Sequence, residues 1–573
     1  MRAPKLQLDF YYTSGRNRNF EGRYLPMTKI NSSGTLKIQK KKISTVRPSV
    51  IIRSFRVFSI LLIITSSLLA QYEDTGKRGN YFSKKKYAPS DIPAFKDNRA
   101  KLPSPICERN PEYVALYWKA WSLAFDHFKR PPQGSPFVSN YIDEAFSPSV
   151  FQWDTFFMLM FARYGHSVFP AIQSLDNFYS RQYENGYICR EIQEADGKDY
   201  VFIGREHTIN PPLFAWAEVE SYKVTGDSSR FAAILPALKK YAEWLEQNRK
   251  KEGTKHGLYW NTGLGSGMDN LPLKGSGWVD MSSQMVLMYR NISFMCAELK
   301  LTDETTLFES KANDIAQRIN QWMWNETDGL YYNLDDDGNQ LRLKNIGSFW
   351  PMLAGIADLS KAKRLLTHLK DPRSFWRSIP FPSLAADETA YQADGHYWLG
   401  GVWAPTNVMI VKGLEQYGRE TGNASDYSFN EFATAAAEKY LDGLTEVYAK
   451  TGTLWENYSP DLMMRGNPSQ KNFVGWTGCG PIQLLIENVL GFHPDGAHNS
   501  LTWNITRIDR HGIEQLCFGE VSVTLISQER VSVGAPAEVH VIANRSFELT
   551  ISVDGGEQKK IQITKGPQRI TVK

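Results

Sequence analysis

The sequence of 573 residues contains only five cysteines, which lie far apart at positions 107, 189, 296, 479 and 517. Their number is odd and none forms a C-x-x-C pair, so we expect neither a zinc motif nor a disulfide framework. An isolated disulfide stays open, because export would permit one. Low-complexity tracts and short internal repeats are also lacking. The length therefore favours a large globular domain accompanied by a smaller one.

The sequence has no apolar run of the length that a membrane span usually requires. The longest candidate, Val57 to Ala70, has fourteen residues and is interrupted by Ser and Thr. This length suits the core of a signal peptide, and Arg53 and Arg56 provide its positive flank. We therefore predict that residues 1–70 are a basic leader with a signal peptide and that the protein is exported to the periplasm, the surface or the medium. Because the segment upstream is unusually long, a misassigned start or a retained membrane anchor remains the alternative.

Basic residues are scarce outside this leader. Residues 1–56 hold thirteen Lys or Arg against two acids, so the remainder of the chain is mildly acidic. We expect no nucleic-acid partner, and a membrane partner only if the leader is retained. Aromatic residues, in contrast, make up 13% of the chain and include 16 Trp. They can fill a large core, or they can offer flat faces on which sugar rings stack.

From residue 110 to 495 the apolar pattern is almost entirely helical, with about twelve segments of three- and four-residue spacing. Longer loops rich in Gly, Trp, Asn and Asp separate pairs of helices, and such loops are usually functional. We predict a mainly α catalytic domain here, an (α/α)6 toroid whose six helical hairpins gather one set of loops around a central pocket. The clearest helical segments are Tyr113–Phe128, Pro212–Val224, Phe231–Gln247, Ser282–Leu299, Leu307–Met323 and Phe429–Tyr448.

The two flanking regions have a different character. Residues 71–109 are rich in Lys and Pro and are interpreted as a linker or wrapping segment. Residues 496–573 contain short segments that alternate apolar and polar residues and are separated by turns, which predicts a small β-sandwich with a packing role. The predicted strands are Val521–Ser527, Ala537–Ile542, Phe547–Val553 and Lys560–Thr564.

Four loops of the helical region combine tryptophan with a carboxylate or an amide. Cleavage of a glycosidic bond needs one carboxylic acid that protonates the leaving oxygen and a second carboxylate that activates water or attacks the sugar. These loops offer both groups within aromatic surroundings. They are Phe151-Gln-Trp-Asp-Thr-Phe-Phe, Gly265-Ser-Gly-Met-Asp-Asn-Leu-Pro, His396-Tyr-Trp-Leu-Gly-Gly-Val-Trp-Ala-Pro-Thr-Asn and Thr453-Leu-Trp-Glu-Asn-Tyr-Ser-Pro.

The string Ser-Gly-Met-Asp-Asn at 266–270, followed by Trp278-Val-Asp and later by Trp-Glu-Asn-Tyr at 455–458, resembles glycoside hydrolase family 63 and its mannosylglycerate-hydrolase-like relatives. Trehalases are more distant kin, and the resemblance covers roughly residues 110–492. It implies that Asp269 is the general acid and Glu456 the general base of an inverting reaction, with no cofactor or metal. The two carboxyl groups of an inverting enzyme lie about 6.5 to 9.5 Å apart.

Further residues are expected to contact the substrate or wall the pocket. Each also fits a purely structural role: Asp269 as a turn residue, Glu456 as a helix-cap or ion-pair acid, and the tryptophans as core. Two departures from the family pattern, Leu399 where relatives often carry Arg and Gly265 where an acid often stands, leave the sugar unspecified. The predicted contact residues are Trp153, Asp154, Arg205, Asn210, Asn270, Trp278, Trp398, Trp403, Asn407, Trp455 and Trp476.

These patterns favour an inverting, exo-acting α-glycoside hydrolase, α-glucosidase-like, that acts on α-linked oligosaccharides or glycosides. One alternative is another helical-toroid enzyme, such as a polysaccharide lyase. A lyase needs Tyr with His or Arg as its base, and Tyr397 and His396 are present, but no cationic cluster for a uronate is evident. The other alternative is a glycan-binding protein without catalysis on the same scaffold.

Overall fold

The computed structural model describes residues 77–82, 86–144, 146–199, 209–420 and 428–573. The predicted leader, with its apolar stretch, and Arg205 lie outside these ranges. Within them, no helix combines the length and the apolar character needed to cross a membrane. All five cysteines are free thiols.

Helices dominate the chain up to residue 489, and the six clearest predicted helical segments are confirmed. The helices are α1 (Phe95–Asn98), α2 (Pro111–Asp126), α3 (Gln152–Ala162), α4 (Ser174–Ser180), α5 (Phe214–Thr225), α6 (Ser229–Asn248), α7 (Gly263–Ser266), α8 (Val279–Glu298), α9 (Thr302–Trp322), α10 (Trp350–Leu353), α11 (Leu359–Lys370), α12 (Ala404–Glu420), α13 (Ser428–Thr451) and α14 (Gly480–Val489, with π-type hydrogen bonding).

The apolar pattern of each helix decides how deeply it lies. Helix α9 buries Phe308, Ala312, Ile315 and Ile319, a single stripe at three- and four-residue spacing. Helix α3, in contrast, is buried on every side. A helix that is apolar all round belongs to the interior, whereas a striped one lies at the surface. Neighbours in sequence pack together, as α8 does with α9 and α13 with both α12 and α14.

Strands form two larger sheets and several small ribbons. The five-stranded sheet has the order β1-β12-β13-β14-β17, and the four-stranded sheet has the order β10-β11-β15-β16. The ring of Phe518 in the first sheet meets that of Phe547 in the second at 5.6 Å, so the two sheets share a core. The strands are β1 (Ser104–Cys107), β2 (Phe128–Lys129), β3 (Tyr141–Ile142), β4 (Ser149–Phe151), β5 (Glu191–Gln193), β6 (Trp324–Asn325), β7 (Leu330–Tyr331), β8 (Asn333–Leu334), β9 (Gln340–Leu341), β10 (Phe492–Asp495), β11 (Ser500–Ile505), β12 (His511–Phe518), β13 (Val521–Ser527), β14 (Ala537–Ala543), β15 (Phe547–Val553), β16 (Lys559–Ile563) and β17 (Gly566–Val572).

The sheet region reaches beyond the predicted range of 496–573. Strand β1 comes from the segment interpreted as a linker and pairs with β12, and β10 ends just before residue 496. Strand β12 was not among the predicted strands, because a bulge between Ile513 and Leu516 breaks its alternation. The helix-rich body with a C-terminal sheet region is therefore confirmed, with a wider sheet region than expected.

The predicted site residues collect where buried helices begin. Trp153 and Asp154 open α3, Trp278 directly precedes α8, and Asn407 lies in the first turn of α12. Trp476 lies four residues before α14. These residues are far apart in the sequence, but each lies at or just before the N-terminus of a buried helix.

Candidate active site

The segment that carries Asp269 is shaped by a short capped helix. The Thr262 hydroxyl accepts a hydrogen bond from the Gly265 N–H at 3.0 Å and so caps α7. Gly267 ends the helix with a φ of 76°, and a Cβ atom there would lie 3.2 Å from the indole of Trp153. A glycine is therefore required both for the left-handed backbone and for the close approach of Trp153.

Asn270 fastens this segment to a second predicted loop. Its Nδ2 donates to the His396 carbonyl at 3.0 Å, and its Oδ1 accepts from the Trp398 N–H at 2.8 Å. Between these two contacts, His396 and Tyr397 have positive φ angles of 30° and 63°. Such backbone costs free energy and persists where surrounding contacts hold it, often at functional sites.

Stacked tryptophans connect this loop to the segment of Glu456. Trp398 lies on Trp403 with ring centroids 4.1 Å apart and planes within 3°, and Trp403 meets Trp476 at 5.6 Å. The Trp476 indole N–H donates to the Glu456 carbonyl at 2.7 Å. Asn407 donates to the Trp403 carbonyl at 3.0 Å. Four predicted residues thus form one wall that ends at Glu456.

Glu456 is held by the backbone of a neighbouring strand-like segment. Its N–H donates to the Gln470 carbonyl, and its Oε2 accepts from the Gln470 N–H, both at 2.9 Å. The side chain is only 6% exposed. Burial raises the pKa of Glu456 to about 7, the Gln470 N–H opposes this rise, and the charge of Asp269 adds to it.

Asp269 reaches solvent, yet the protein around it desolvates its carboxyl group. This desolvation raises the pKa of Asp269 to about 6, and the nearby Arg190 guanidinium partly offsets the rise. The Asp269 segment is joined to Glu456 by contacts that run from Asn270 through the stacked tryptophans.

Asp154 is a third carboxyl group in the same region. It is buried, and within the described ranges its Oδ1 has no hydrogen-bond partner. Burial and the charge of Glu456 hold its pKa well above the ordinary range. A buried acceptor without a partner is costly unless a ligand satisfies it, which suits an oxygen that receives a sugar hydroxyl.

The sequence reasoning missed two charged residues of the site, Arg190 and Glu191. Arg190 donates to the Glu191 carboxylate at 2.9 Å, and its other Nη lies 3.5 Å from the Leu264 carbonyl in the Asp269 segment. The Arg190 carbonyl accepts from the Gln152 N–H at 2.9 Å, at the start of α3. The sequence did contain a signal for these two residues. Arg190 and Glu191 are adjacent opposite charges within the otherwise apolar run Ile188-Cys-Arg-Glu-Ile, and this pattern indicates a buried ion pair.

The remaining residues that were predicted to contact the substrate differ in where the structure places them. Trp455 is half-buried in the Glu456 segment, where Arg465 lies 5.2 Å above its ring. Trp278 is buried at the start of α8 and donates to the Gly275 carbonyl at 2.9 Å. Asn210 is buried as well. In the part of the chain that the structure describes, neither Trp278 nor Asn210 makes a hydrogen bond or ring contact with the residues above, and Arg205 lies outside it.

A cavity of about 350 Å³ lies away from these loops, toward the later parts of the same helices. Arg163, which directly follows α3, pairs with Glu220 at 2.8 Å and with Glu487, and Lys412 pairs with the same two carboxylates at 3.0 and 3.2 Å. These charges neutralise one another, which suits a structural cluster better than an acid–base pair. Among the described residues, no group of three or more His, Cys, Asp or Glu side chains is arranged to hold a metal ion.

Comparison with known proteins gives one family and several relatives. The family model of the mannosylglycerate hydrolase MGH1-like glycoside hydrolase domain matches residues 147–278 and 274–463. An uncharacterized protein of Borreliella burgdorferi is 28% identical over 418 residues, which cover 71% of this chain and 85% of that protein. A mannosylglycerate hydrolase of Rubrobacter radiotolerans is 27% identical over 129 residues, which cover 22% of this chain and 29% of that enzyme.

A solved structure agrees with the family match. The GH63 mannosylglycerate hydrolase from Thermus thermophilus in complex with glucose superposes with a TM-score of 0.50 at 18% identity. The superposition covers 64% of this chain and 99% of that enzyme. At this identity the likeness concerns the fold. The family match, in turn, includes all four loops completely, and with them the start of α3.

Proposed function

The chain belongs to the family of mannosylglycerate hydrolase MGH1-like glycoside hydrolases, and on this premise we propose that it is an inverting, exo-acting α-glycosidase with Asp269 as general acid and Glu456 as general base. The substrate class is an α-linked oligosaccharide or glycoside, with α-glucosidase-like specificity. The observation that carries the proposal is the wall of stacked tryptophans, which joins the Asp269 segment at Asn270 to Glu456.

Each carboxyl group has one task in this reaction. Asp269 gives its proton to the glycosidic oxygen as the bond from that oxygen to the anomeric carbon breaks. Glu456 takes a proton from a water molecule as the water oxygen forms the new bond to the anomeric carbon from the opposite face. The reaction leaves Asp269 ionised and Glu456 protonated, and exchange with solvent restores the starting state. Asp154 receives hydroxyl groups of the terminal sugar.

Both carboxyl groups of the free site exchange protons near neutral pH, with pKa values of about 6 for Asp269 and about 7 for Glu456. Asp269 is the solvent-exposed member, so a bound sugar removes water from it and raises its pKa further. Substrate binding therefore favours the productive protonation state.

The helical region is proposed to close as an (α/α)6 ring. Support comes from a circuit of contacts in which α3 touches α5, α5 touches α8, α8 touches α10, α10 touches α12, α12 touches α14 and α14 touches α3. The other long helices, α2, α6, α9 and α13, each contact at least one helix of this circuit. In such a ring the entries of the inner helices meet at one end, which is where the predicted site residues collect.

The test is a hydrolysis screen on α-linked disaccharides and small glycosides of glucose and mannose, with mannosylglycerate included because two relatives are named for it. The anomer of the first product is read by proton NMR, with Asp269→Asn and Glu456→Gln as controls. Inversion in the wild type and loss of turnover in both variants are expected. Net retention of configuration, or turnover unaffected by both substitutions, would contradict the proposal.

Export is proposed as well, on the strength of the basic flank and the fourteen-residue apolar stretch at Val57 to Ala70. Terminal sequencing of the mature protein from a membrane-free extracellular or periplasmic fraction should begin near Gln71. A protein recovered only with membranes and carrying an intact leader would favour the anchor instead.

A further inference from the structure

One aromatic side chain at the edge of the site is unusually open to solvent. Phe146, in the connection between β3 and β4, is 45% exposed. Single exposed apolar residues are common on protein surfaces, so exposure alone indicates nothing. Phe146, however, is not isolated: its ring lies 5.7 Å from that of Phe151 at 28° and 5.9 Å from that of Phe473 at 31°. Phe146 thus contacts both other rings, and we define Phe146, Phe151 and Phe473 together as the ledge.

One end of this ledge lies on the general-acid side of the site. Phe151 directly precedes α3, the helix that carries Trp153 and Asp154. The Arg190 guanidinium lies 5.7 Å from the centre of the Phe151 ring. The same guanidinium reaches the Leu264 carbonyl in the Asp269 segment and lowers the pKa of Asp269.

The other end of the ledge lies on the general-base side. The ring of Phe473 packs against that of Trp476 at 5.0 Å, and Trp476 holds the Glu456 carbonyl. The exposure of the three rings differs in a regular way: Phe473 is buried, Phe151 is half-buried and Phe146 is exposed. Phe146, which contacts both other rings, is therefore the exposed middle of the ledge, and the two less exposed rings lie at its ends.

An exo-acting enzyme encloses the terminal sugar and leaves the rest of its substrate outside the pocket. The C–H face of a pyranose ring is apolar, and it packs against an aromatic ring without losing the hydrogen bonds of its hydroxyl groups to water. The rings of Trp398, Trp403 and Trp476 are almost fully buried, so they leave little free surface for a second sugar ring. The aromatic surface left for the next ring of the substrate is the exposed ring of Phe146.

We propose that the ledge is a leaving-group subsite, in which Phe146 stacks on the sugar ring that follows the scissile bond. This inference rests on the proposed function and deepens it, because it assigns the substrate class to glycosides whose leaving group is itself a pyranose. Small leaving groups do not reach Phe146 and gain nothing from it.

The experiment compares two substrates that share a terminal sugar, an α-linked disaccharide and the corresponding α-glycosyl fluoride. In Phe146→Ala the ratio of kcat/KM for the disaccharide to kcat/KM for the fluoride should fall about twofold to tenfold, as expected for the loss of one stacking contact. Phe146→Tyr retains the ring and should restore the ratio. Leu307→Ala is the matched control, because Leu307 is 52% exposed on the outer helix α9 and should leave the ratio as in the wild type.

The possible outcomes distinguish failure of the subsite proposal from failure of the proposed glycosidase function. An unchanged ratio in Phe146→Ala, or an equal loss on both substrates, would overturn the subsite while the glycosidase proposal stands. Wild-type protein that cleaves neither substrate nor any other glycoside of the screen would overturn the glycosidase proposal itself. In that case calorimetric binding of the disaccharide decides the ledge: affinity that weakens in Phe146→Ala and returns in Phe146→Tyr supports it, and equal affinity overturns it.

Discussion

Two groups of buried carboxyl groups occur in the helical region, and their electrostatics differ. In the candidate site, Asp154 and Glu456 form no ion pair with a described residue, and the pKa of Glu456 rises to about 7. In the other group, Glu220 and Glu487 share Arg163 and Lys412, and the pKa of Glu487 falls to about 2. Desolvation raises the pKa of all four carboxyl groups. The neighbouring cations therefore account for the difference in pKa between the two groups.

The contrast shows that burial of an acid does not by itself indicate catalysis. An acid paired with cations is locked in its charged form and serves the fold, whereas an unpaired acid keeps a proton equilibrium near neutral pH and is suited to proton transfer. The cavity described above lies beside the paired group, so the presence of a cavity does not by itself indicate a catalytic site either. Four predictions examine this division, beginning with the largest effect.

Asp269→Asn and Glu456→Gln should each lower kcat/KM by about 10²- to 10⁴-fold, the usual contribution of a general acid or base. Steady-state kinetics on the best substrate of the screen measure the loss. Glu487→Gln, in the paired group, is the control. The molecules of this variant that fold should hydrolyse the substrate with the kcat/KM of the wild type. Equal losses in all three variants would break the division between the two groups.

Glu487→Ala should destabilise the protein by about 3–5 kcal/mol, because it leaves the buried charges of Arg163 and Lys412 without one of their two carboxylates. Denaturant unfolding at pH 7 measures the change in the free energy of unfolding. Glu446→Ala, which breaks the exposed pair between Glu446 and Lys450, should have little effect. A small change in Glu487→Ala would show that the paired group is not structural.

The two groups should give the stability opposite dependences on pH. The pKa of Glu456 is raised from about 4.5 to about 7 in the folded protein, so its contribution is complete below pH 4.5 and is lost as the pH rises to 7. Glu456→Gln should therefore gain up to about 3 kcal/mol relative to the wild type between pH 4.5 and pH 8. Glu487, with its lowered pKa, loses its contribution only as the pH falls from 4.5 toward 2. Denaturant unfolding at several pH values measures both pH dependences. If the free energies of unfolding of the wild type and of Glu456→Gln changed equally with pH, the prediction for Glu456 would be contradicted.

The pH dependence of kcat/KM should be bell-shaped, with limbs near pH 6 and pH 7 from Asp269 and Glu456. Beyond either limb the rate should fall about tenfold per pH unit, because one of the two groups then holds the wrong number of protons. Initial rates at low substrate between pH 4 and pH 9 give the profile. A rate that keeps rising to pH 9 would exclude the pair as acid and base.

Much of the fold could be predicted from local patterns. Strands β13 and β15 begin and end at the predicted residues, because their alternation of apolar and polar side chains is unbroken. Strand β17 was missed, since it carries Pro567 and many polar residues at the edge of its sheet. Strand β1 was missed because its pairing partner lies some four hundred positions later, which no local window includes.

The candidate site was predicted unevenly for a similar reason. Asp269, Glu456 and the tryptophans stand in distinctive strings, so their chemical roles could be proposed from the residues and the family resemblance. Arg190 has no such string, and its importance comes only from its closeness to Asp269 in space. Phe146 is one aromatic residue among many in the sequence. The role proposed for Phe146 depends on which aromatic rings it contacts in the folded protein.

The sequence by itself determined the helical body and four of the C-terminal strands, and it supplied the carboxyl residues proposed as acid and base, because periodicity and side-chain type are properties of short segments. Only the tertiary structure decided which carboxyl groups have cations beside them, which tryptophans form the wall and which aromatic ring faces the solvent. Those features depend on distances between residues that the chain separates, and the pKa of a carboxyl group follows its neighbours in space.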